Sequence, residues 1–391
     1  MSKIVFFCIP ASGHTNPTIG VVRELVNRGH QVWYYSFEPF REKLEAAGAK
    51  FVSCDGCDRE LHLTPEEGTK VGKDMAFSIK ILVDSTLALD EMVCRHMEEL
   101  RPDCIVADSM AVWGKAAAMK LHIPFVSSTT TFAFNRHSAK IMKQSLSQVF
   151  GMIFSMPRIN QDMERLKAAG YPVGSFLDLI QNDESVNTVV YTSREFQPCA
   201  ETFPENYAFV GPSIRSAQEN WLKSRRKTVY VSMGTVNNRM KKLYKNCIKA
   251  FKDSEYDVIM SIGDLTGVEE LGKIPENFTV KNRVDQIAVL QAADIFLSHC
   301  GMNSVNESLY FGVPLVCFPQ TAEQGGVARR VRQLEAGVFL KNDRPKELRK
   351  AVESVLGDEK YRRNALIISE SFKRSGGAKT AAEAILRVAK G

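Results

Sequence analysis

Apolar positions along the chain alternate between two spacings, and that alternation is the first signal of architecture. Ile4 to Ile9 is an unbroken apolar run, as expected for a strand covered on both faces in a parallel sheet. Asn16 then offers an N-cap and Pro17 a first helical position. Ile19, Val22, Leu25 and Val26 share one helical face before Gly29 ends it. A strand at Val32 to Tyr35 follows, then a helix around Phe40 to Ala47, a strand near Phe51 and a long helix ending near Leu100. Next come a strand at Cys104 to Ala107, a helix from Val112 to Leu121 and a strand at Phe125 to Ser127. Strand and helix in turn predict a parallel, doubly wound sheet.

From about Phe132 to Gln181 the pattern loosens into Met- and Phe-rich pieces such as "VFGMIFSMP", read as packing between helices, with a greasy pocket as the alternative. A strand near Val189 to Tyr191 and a turn at Gly211-Pro212 lead into the polar stretch "SIRSAQENWLKSRRK". The alternation restarts with "TVYVSMGT" at Thr228 and a helix to Phe251, then strands at Asp257 to Ile262 and Phe278 to Lys281 and a helix at Gln286 to Ala292. A strand at Ile295 to Ser298, a helix from about Asn303 to Tyr310, a strand at Leu315 to Phe318 and a helix from about Glu323 come next, then a short strand at Val338 to Leu340 and two closing helices. The expected division is an N-terminal domain 1–213, a linker 214–227, a second domain 228–365 and a last helical segment 366–391. The fold class is α/β, with two Rossmann-like domains facing across a cleft, because ligands of such sheets bind at the carboxyl ends of the strands.

A chain of 391 residues exceeds the size at which single cores stop growing, consistent with two domains. The net charge of +6 suits an anionic small ligand without demanding nucleic acid. Nine cysteines, an odd number scattered through apolar runs, point to a reducing compartment. Cys54 and Cys57 form a C-x-x-C, but no second pair completes a tetrahedral zinc site, so a loop after a strand is the reading. Lys3 followed by Ile4 to Ile9 imitates a leader, yet it runs straight into a turn and an amphipathic helix, and no later stretch is apolar enough to span a bilayer. A cytoplasmic protein is expected.

The most informative stretch is "HCGMNSVNESLYFGVPLVCFPQTAEQ", His299 to Gln324. It starts where a strand ends and enters a helix N-terminus, whose amides and dipole favour an anion such as a diphosphate. His299 adds a side-chain donor there. Glu307, one turn further, is badly placed for phosphate but suited to accept two ribose hydroxyls, and Glu323 with Gln324 suit sugar hydroxyls at the next helix start. Each residue alone also fits a cap, a surface acid or a turn histidine.

In order, "RVDQIAVL", "SHCGMNS", "NES", "FGVPLV" and "PQTAEQ" resemble the nucleotide-sugar signature of the family 1 glycosyltransferases, known from plant secondary-product enzymes and bacterial macrolide glycosyltransferases. The resemblance implies the GT-B architecture, the donor on the C-terminal half, and a last helix near Ala378 to Lys390 returning to the N-terminal half. Carried over, His299 binds the diphosphate at the Gly301 turn, with Asn303 and Ser304 as further donors. Glu307 holds the ribose, Glu323 and Gln324 hold the transferred sugar, Gly234 and Thr235 of "SMGT" lie near the phosphates, and Gln286 lies against the base. This chain has Arg283 where plant members stack a tryptophan on uracil, and Gly325-Gly326 where the family usually continues with an Asn-Ala helix start. A guanidinium plane also stacks on a base, so the base is read as uridine first, with thymidine the alternative.

In the same family a histidine after the first strand is the general base, and "PASGHTNP" carries His14 there. Asp108, ending the strand in "PDCIVADSM", is the expected carboxylate partner. As an isolated strand-end Asp it equally fits the N-cap of the following helix. The implied activity is inverting, metal-independent transfer of a hexose, glucose first, from a UDP-sugar co-substrate to a small hydrophobic acceptor. No D-x-D occurs to bridge a metal, and no other cofactor is expected. A monomer or weak dimer is expected, with no nucleic-acid partner. Three rivals were weighed. A dinucleotide oxidoreductase fits Glu38 after the second strand but lacks G-x-G-x-x-G; a non-catalytic nucleotide-sugar module has no use for His14 with Asp108; a membrane-lipid acceptor lacks an amphipathic anchor.

Overall fold

The computed structural model describes residues 1–55, 74–138, 146–180, 185–235 and 238–391, with side chains undescribed at 146–154 and 180. It divides into two compact units, the first made of residues 1–191, 199–213 and 376–391 and the second of 192–198 and 214–375. Cys57 of the C-x-x-C lies outside the described residues.

The first unit is a seven-stranded, wholly parallel sheet in the order β3-β2-β1-β4-β5-β6-β7. Its strands are β1 Lys3–Phe7, β2 Gln31–Ser36, β3 Lys50–Ser53, β4 Cys104–Asp108, β5 Phe125–Thr129, β6 Asn187–Val190 and β7 Tyr207–Phe209. Successive β1 residues point to opposite faces. Ile4 and Phe6 join Val21, Val22 and Leu25 of the helix Ser12–Asn27 and Ala381, Ala382 and Ile385 of the helix Ala378–Ala389. Val5 and Phe7 join Trp113 and, from the helix Met75–Leu100, Leu89, Val93 and Met97. In the region expected to be loose, the helix Leu146–Ala168 sends Ile159, Met163 and Leu166 into a core with Ile79, Val83 and Ala116. That half of the helix packs; the side chains of its first half are not described.

The second unit repeats the plan as a six-stranded parallel sheet, β10-β9-β8-β11-β12-β13. Its strands are β8 Thr228–Ser232, β9 Asp257–Ser261, β10 Phe278–Lys281, β11 Ile295–Ser298, β12 Leu315–Cys317 and β13 Gly337–Phe339. Val229, Val231, Met260 and Leu297 pack with Leu243 and Tyr244 of the helix Lys241–Phe251 and with Leu348 and Val352 of the helix Pro345–Leu356.

Three local expectations are corrected. The first helix starts at Ser12 with Ala11 as an N-cap that makes no side-chain bond, so Asn16 is not the cap and Pro17 lies inside the helix. Pro17 lacks the amide that would reach back to Gly13, but burial of Thr15, Thr18, Val21, Val22 and Leu25 outweighs one lost bond. His14 therefore rides on the first helical turn. The closing part holds three helices instead of two, Pro345–Leu356, Glu359–Arg374 and Ala378–Ala389, the last two separated by Gly376 and Gly377 at φ +85° and +60°. Strand β7 was missed because three residues between Pro204 and Gly211 show no periodicity.

Gly114, in the helix Val112–Leu121, lets that helix seat directly on β1 and β4: a Cβ there would lie 2.7 Å from the Ala107 Cβ and 2.8 Å from Phe7 Cδ2. Gly114→Ala overpacks this contact. It is expected to destabilise the first unit by about 1–3 kcal/mol, read from the urea midpoint of the fluorescence of its buried neighbour Trp113.

Candidate functional site

In the first unit the strand order sets β1 beside β4 with Phe7 opposite Ala107, so their carboxyl ends lie side by side. The chain leaving β1 turns into the helix carrying His14, and β4 ends on Asp108. The result is a hydrogen bond of 2.8 Å between His14 Nδ1 and Asp108 Oδ2. The Asp108 side chain is 1% exposed and that of His14 is 21% exposed. The other Asp108 oxygen accepts the Met110 amide at 2.8 Å, so the carboxylate is held at both ends, and the aspartate both caps the loop and orients the histidine. A carboxylate accepts only, so Nδ1 carries the hydrogen and Nε2 the lone pair.

Beneath this pair lies a buried polar layer. Thr18 bonds Tyr34 through their hydroxyls at 2.8 Å, Ser128 donates to the Tyr191 hydroxyl at 3.3 Å, and Cys8 Sγ is 3.7 Å from Thr15 Oγ1. Burial raises the pKa of Cys8, Tyr34 and Tyr191, so each stays protonated.

The second unit builds a candidate anion site by the same topology. Strands β8 and β11 are neighbours with Ser232 opposite Ser298, which brings the Gly234 loop against His299. A Cβ on Gly234 would lie 2.6 Å from His299 Nε2, and so would a Cβ on Gly301. The imidazole is thus held between two glycines, the first at φ +80°. Gly301 is the N-cap of the helix Met302–Tyr310 and supplies no side-chain cap, so Asn303 and Ser304 stand in a first turn whose amides and dipole favour an anion. Burial pushes the His299 pKa down to about 4, opposed by the Ser232 backbone carbonyl, and Nδ1 has no hydrogen-bond partner among the described residues. The ring is neutral at physiological pH and donates through one nitrogen only.

Glu307 takes part in a network one turn along. Tyr230 donates to Gln286 Oε1 at 3.1 Å, and the Gln286 amide donates to Glu307 Oε2 at 2.6 Å and Ser304 Oγ at 3.3 Å. Desolvation raises the Glu307 pKa, with the Gln286 bond pulling the other way. Gln286, expected against a base, thus orients the Glu307 carboxylate. Arg283 is exposed and forks onto Asp264, through Nε at 3.0 Å and also through Nη2. Asn238 donates to the carbonyls of Gly234 and Thr235, both at 3.2 Å. Gln324 closes a capping box with Thr321, its Oε1 accepting the amides of Gln320 at 2.8 Å and Thr321 at 3.2 Å, so its NH2 end carries whatever recognition it performs. Glu323 is exposed in the first turn of the same helix, Ala322–Gln333.

Sequence reasoning passed over Asn238, Thr130 and Asp285. Thr130 Oγ1 lies 3.2 Å from His14 Nδ1. Asp285 is buried and accepts Arg215 and the amides of Gln218 and Glu219, tying the segment after Ile214 to the start of the helix Gln286–Ala292. Burial works against its ionisation, but those donors hold its carboxyl below the usual range. An Asp before a helix signals a cap in sequence; nothing local signals a partner 70 residues away. Among the described residues no group of three or more His, Cys, Asp or Glu is arranged to hold a metal ion, and no helix is long and apolar enough to cross a membrane.

Residues 246–376 match the family model for the C-terminal domain of erythromycin biosynthesis protein CIII-like proteins. The NDP-glycosyltransferase YjiC of Bacillus licheniformis is 34% identical, covering 98% of this chain and 96% of that protein. The demethyllactenocin mycarosyltransferase of Streptomyces fradiae is 30% identical, covering 98% of this chain and 86% of that one. Among solved structures, the glycotransferase of kitacinnamycin superposes with a TM-score of 0.84 at 26% identity, over 99% of this chain and 98% of that one.

The buried His299 makes stability depend on pH. The unfolded chain binds its proton near pH ~6.5, the folded chain only near about 4, so stability falls as pH drops from the first value to the second. By pH 4.5 the loss is on the order of 2 kcal/mol. His299→Gln is expected to flatten the slope of unfolding free energy against pH between 6.5 and 4.5, measured by urea titration. A saturating nucleoside diphosphate bound beside the ring would favour the imidazolium and is expected to flatten it in the wild type.

Proposed function

The chain belongs to the family 1 glycosyltransferases of GT-B fold, in the company of the bacterial macrolide glycosyltransferases, and on that premise we propose that it moves a hexose, glucose first, from a UDP-sugar to a hydroxyl of a small hydrophobic acceptor, inverting the anomeric centre. The observation that carries this reading is the His14 Nδ1–Asp108 Oδ2 bond of 2.8 Å at the end of two adjacent strands. An acceptor hydroxyl is a poor nucleophile at neutral pH. Nε2 of His14 takes its proton as the oxygen forms its bond to C1 of the sugar, and Asp108 stabilises the imidazolium that results.

As the bond between C1 and the diphosphate oxygen breaks, the electron pair leaves with the nucleoside diphosphate. That charge develops where the second unit presents His299 and the amides opening the helix Met302–Tyr310. Because burial keeps His299 neutral, it meets the diphosphate as a hydrogen-bond donor and gains charge only beside that anion, so no unpaired cation is buried. Glu307, oriented by Gln286, accepts ribose hydroxyls. Arg283, its plane fixed by Asp264, offers a flat face to the base, which supports uridine with thymidine as an alternative. Glu323 and the NH2 end of Gln324 meet the transferred sugar. The names of the relatives, an NDP-glycosyltransferase and a macrolide mycarosyltransferase, support a natural-product acceptor. These steps require no metal or other cofactor.

His14→Ala is expected to bind UDP by calorimetry as the wild type does and to lose transfer by about 10²–10⁴-fold. A panel of UDP-, TDP- and GDP-sugars against phenolic and macrolide acceptors, read by mass shift, is expected to give product with UDP-glucose, and its anomeric proton coupling is expected to report β configuration. Undiminished transfer by His14→Ala overturns the general-base reading.

A further inference from the structure

We propose that Thr130 is a positioning residue for His14, its hydroxyl oxygen accepting a second branch of the Nδ1–H bond and so fixing the plane in which the imidazole meets the acceptor. This rests on the reading of His14 as the base. One hydrogen bond, that to Asp108, sets a line through Nδ1 and not the tilt of the ring about the Nδ1–Oδ2 direction. Thr130 Oγ1 approaches the same nitrogen at 3.2 Å from the next strand, while Asp108 Oδ2 does so at 2.8 Å. Nδ1 has one hydrogen. If Thr130 donated to Nδ1, the nitrogen would turn a lone pair toward the carboxylate, so the threonine oxygen accepts and its own hydrogen points away from the ring.

The placement is built into the sheet. Asp108 pairs with Ser128 in register, and Thr130 follows just past the end of β5, 3% exposed, with a β-branched side chain that restricts its rotamer. Ionisable groups on the surrounding elements include Asp108, Cys8, Tyr34, Tyr191 and the buried Lys115 of the helix Val112–Leu121. Burial keeps Cys8, Tyr34 and Tyr191 protonated, and Lys115 is common to every variant compared. A shift in the acidic limb of the rate profile between position-130 variants therefore reports on the His14–Asp108 pair.

An accepting oxygen on Nδ1–H favours the imidazolium, so its removal moves that limb to lower pH and lowers the plateau, because the ring is a weaker base and less well aimed. With UDP-glucose and an acceptor the enzyme accepts, Thr130→Val is expected to lower kcat by about 10-fold and displace the limb by several tenths of a pH unit, with KM for the donor within about twofold. Thr130→Ser, which keeps the hydroxyl and loses the methyl, is expected to restore both rate and limb. A Thr130→Val enzyme with wild-type rate and limb overturns the proposal, as does a Thr130→Ser enzyme as impaired as Thr130→Val, which makes the methyl the relevant group. Thr130→Ala removes the same hydroxyl and replaces Thr130→Val if circular dichroism shows the latter unfolded. His14→Ala run alongside separates the two levels: wild-type transfer by it removes the general base, whereas an inactive His14→Ala beside an unaltered Thr130→Val removes only the positioning role.

Discussion

Adjacency of the first and fourth strands in each sheet is the constraint on which the candidate sites depend. Both sheets run parallel and leave their first strand toward one side and their fourth toward the other, so the chain parts at β1/β4 and again at β8/β11. At such a point two loops diverge and leave a crevice at the carboxyl ends. In the first unit the paired register of Phe7 with Ala107 delivers a histidine and an aspartate to one spot, and in the second that of Ser232 with Ser298 delivers a glycine loop and a histidine. A single topological rule used twice yields two sites of different chemistry, because the residues following the strands differ.

The two histidines illustrate how surroundings assign roles. His14 is part-exposed and bonds a buried carboxylate through Nδ1. His299 is enclosed by two glycines and a backbone carbonyl, with no carboxylate among the described residues to pair it, so burial discourages its protonation. On the proposed reading the same side chain takes up a proton in one unit and serves as a neutral donor in the other.

Much of this was legible in the sequence. Buried parallel strands read as continuous apolar runs, and the alternation with helices gave the fold class, because each element's periodicity is local. The partnership of His14 with Asp108 came from a family resemblance joined to the rule that ligands gather at strand ends. What escaped was long-range or short. Strand β7 has three residues and too little pattern to see. Asp285 and Thr130 meet partners fixed only by tertiary packing, Asn238 bonds nearby loop carbonyls that no periodicity marks, and the start of the first helix moved to Ser12 because buried side chains overrode the preference of Asn16 and Pro17 for the boundary.

The two glycines flanking His299 are required for different reasons. Gly234 sits at φ +80°, a conformation that disfavours any side chain, whereas Gly301 has an ordinary backbone, φ −61° and ψ 140°, and is confined to glycine only by the ring 2.6 Å from where its Cβ would stand. The alphabet permitted at position 301 is therefore set by the residue at 299. A lineage that replaced the histidine with something smaller would release position 301 to drift while position 234 stayed fixed, so position 301 is expected to change only where position 299 has changed.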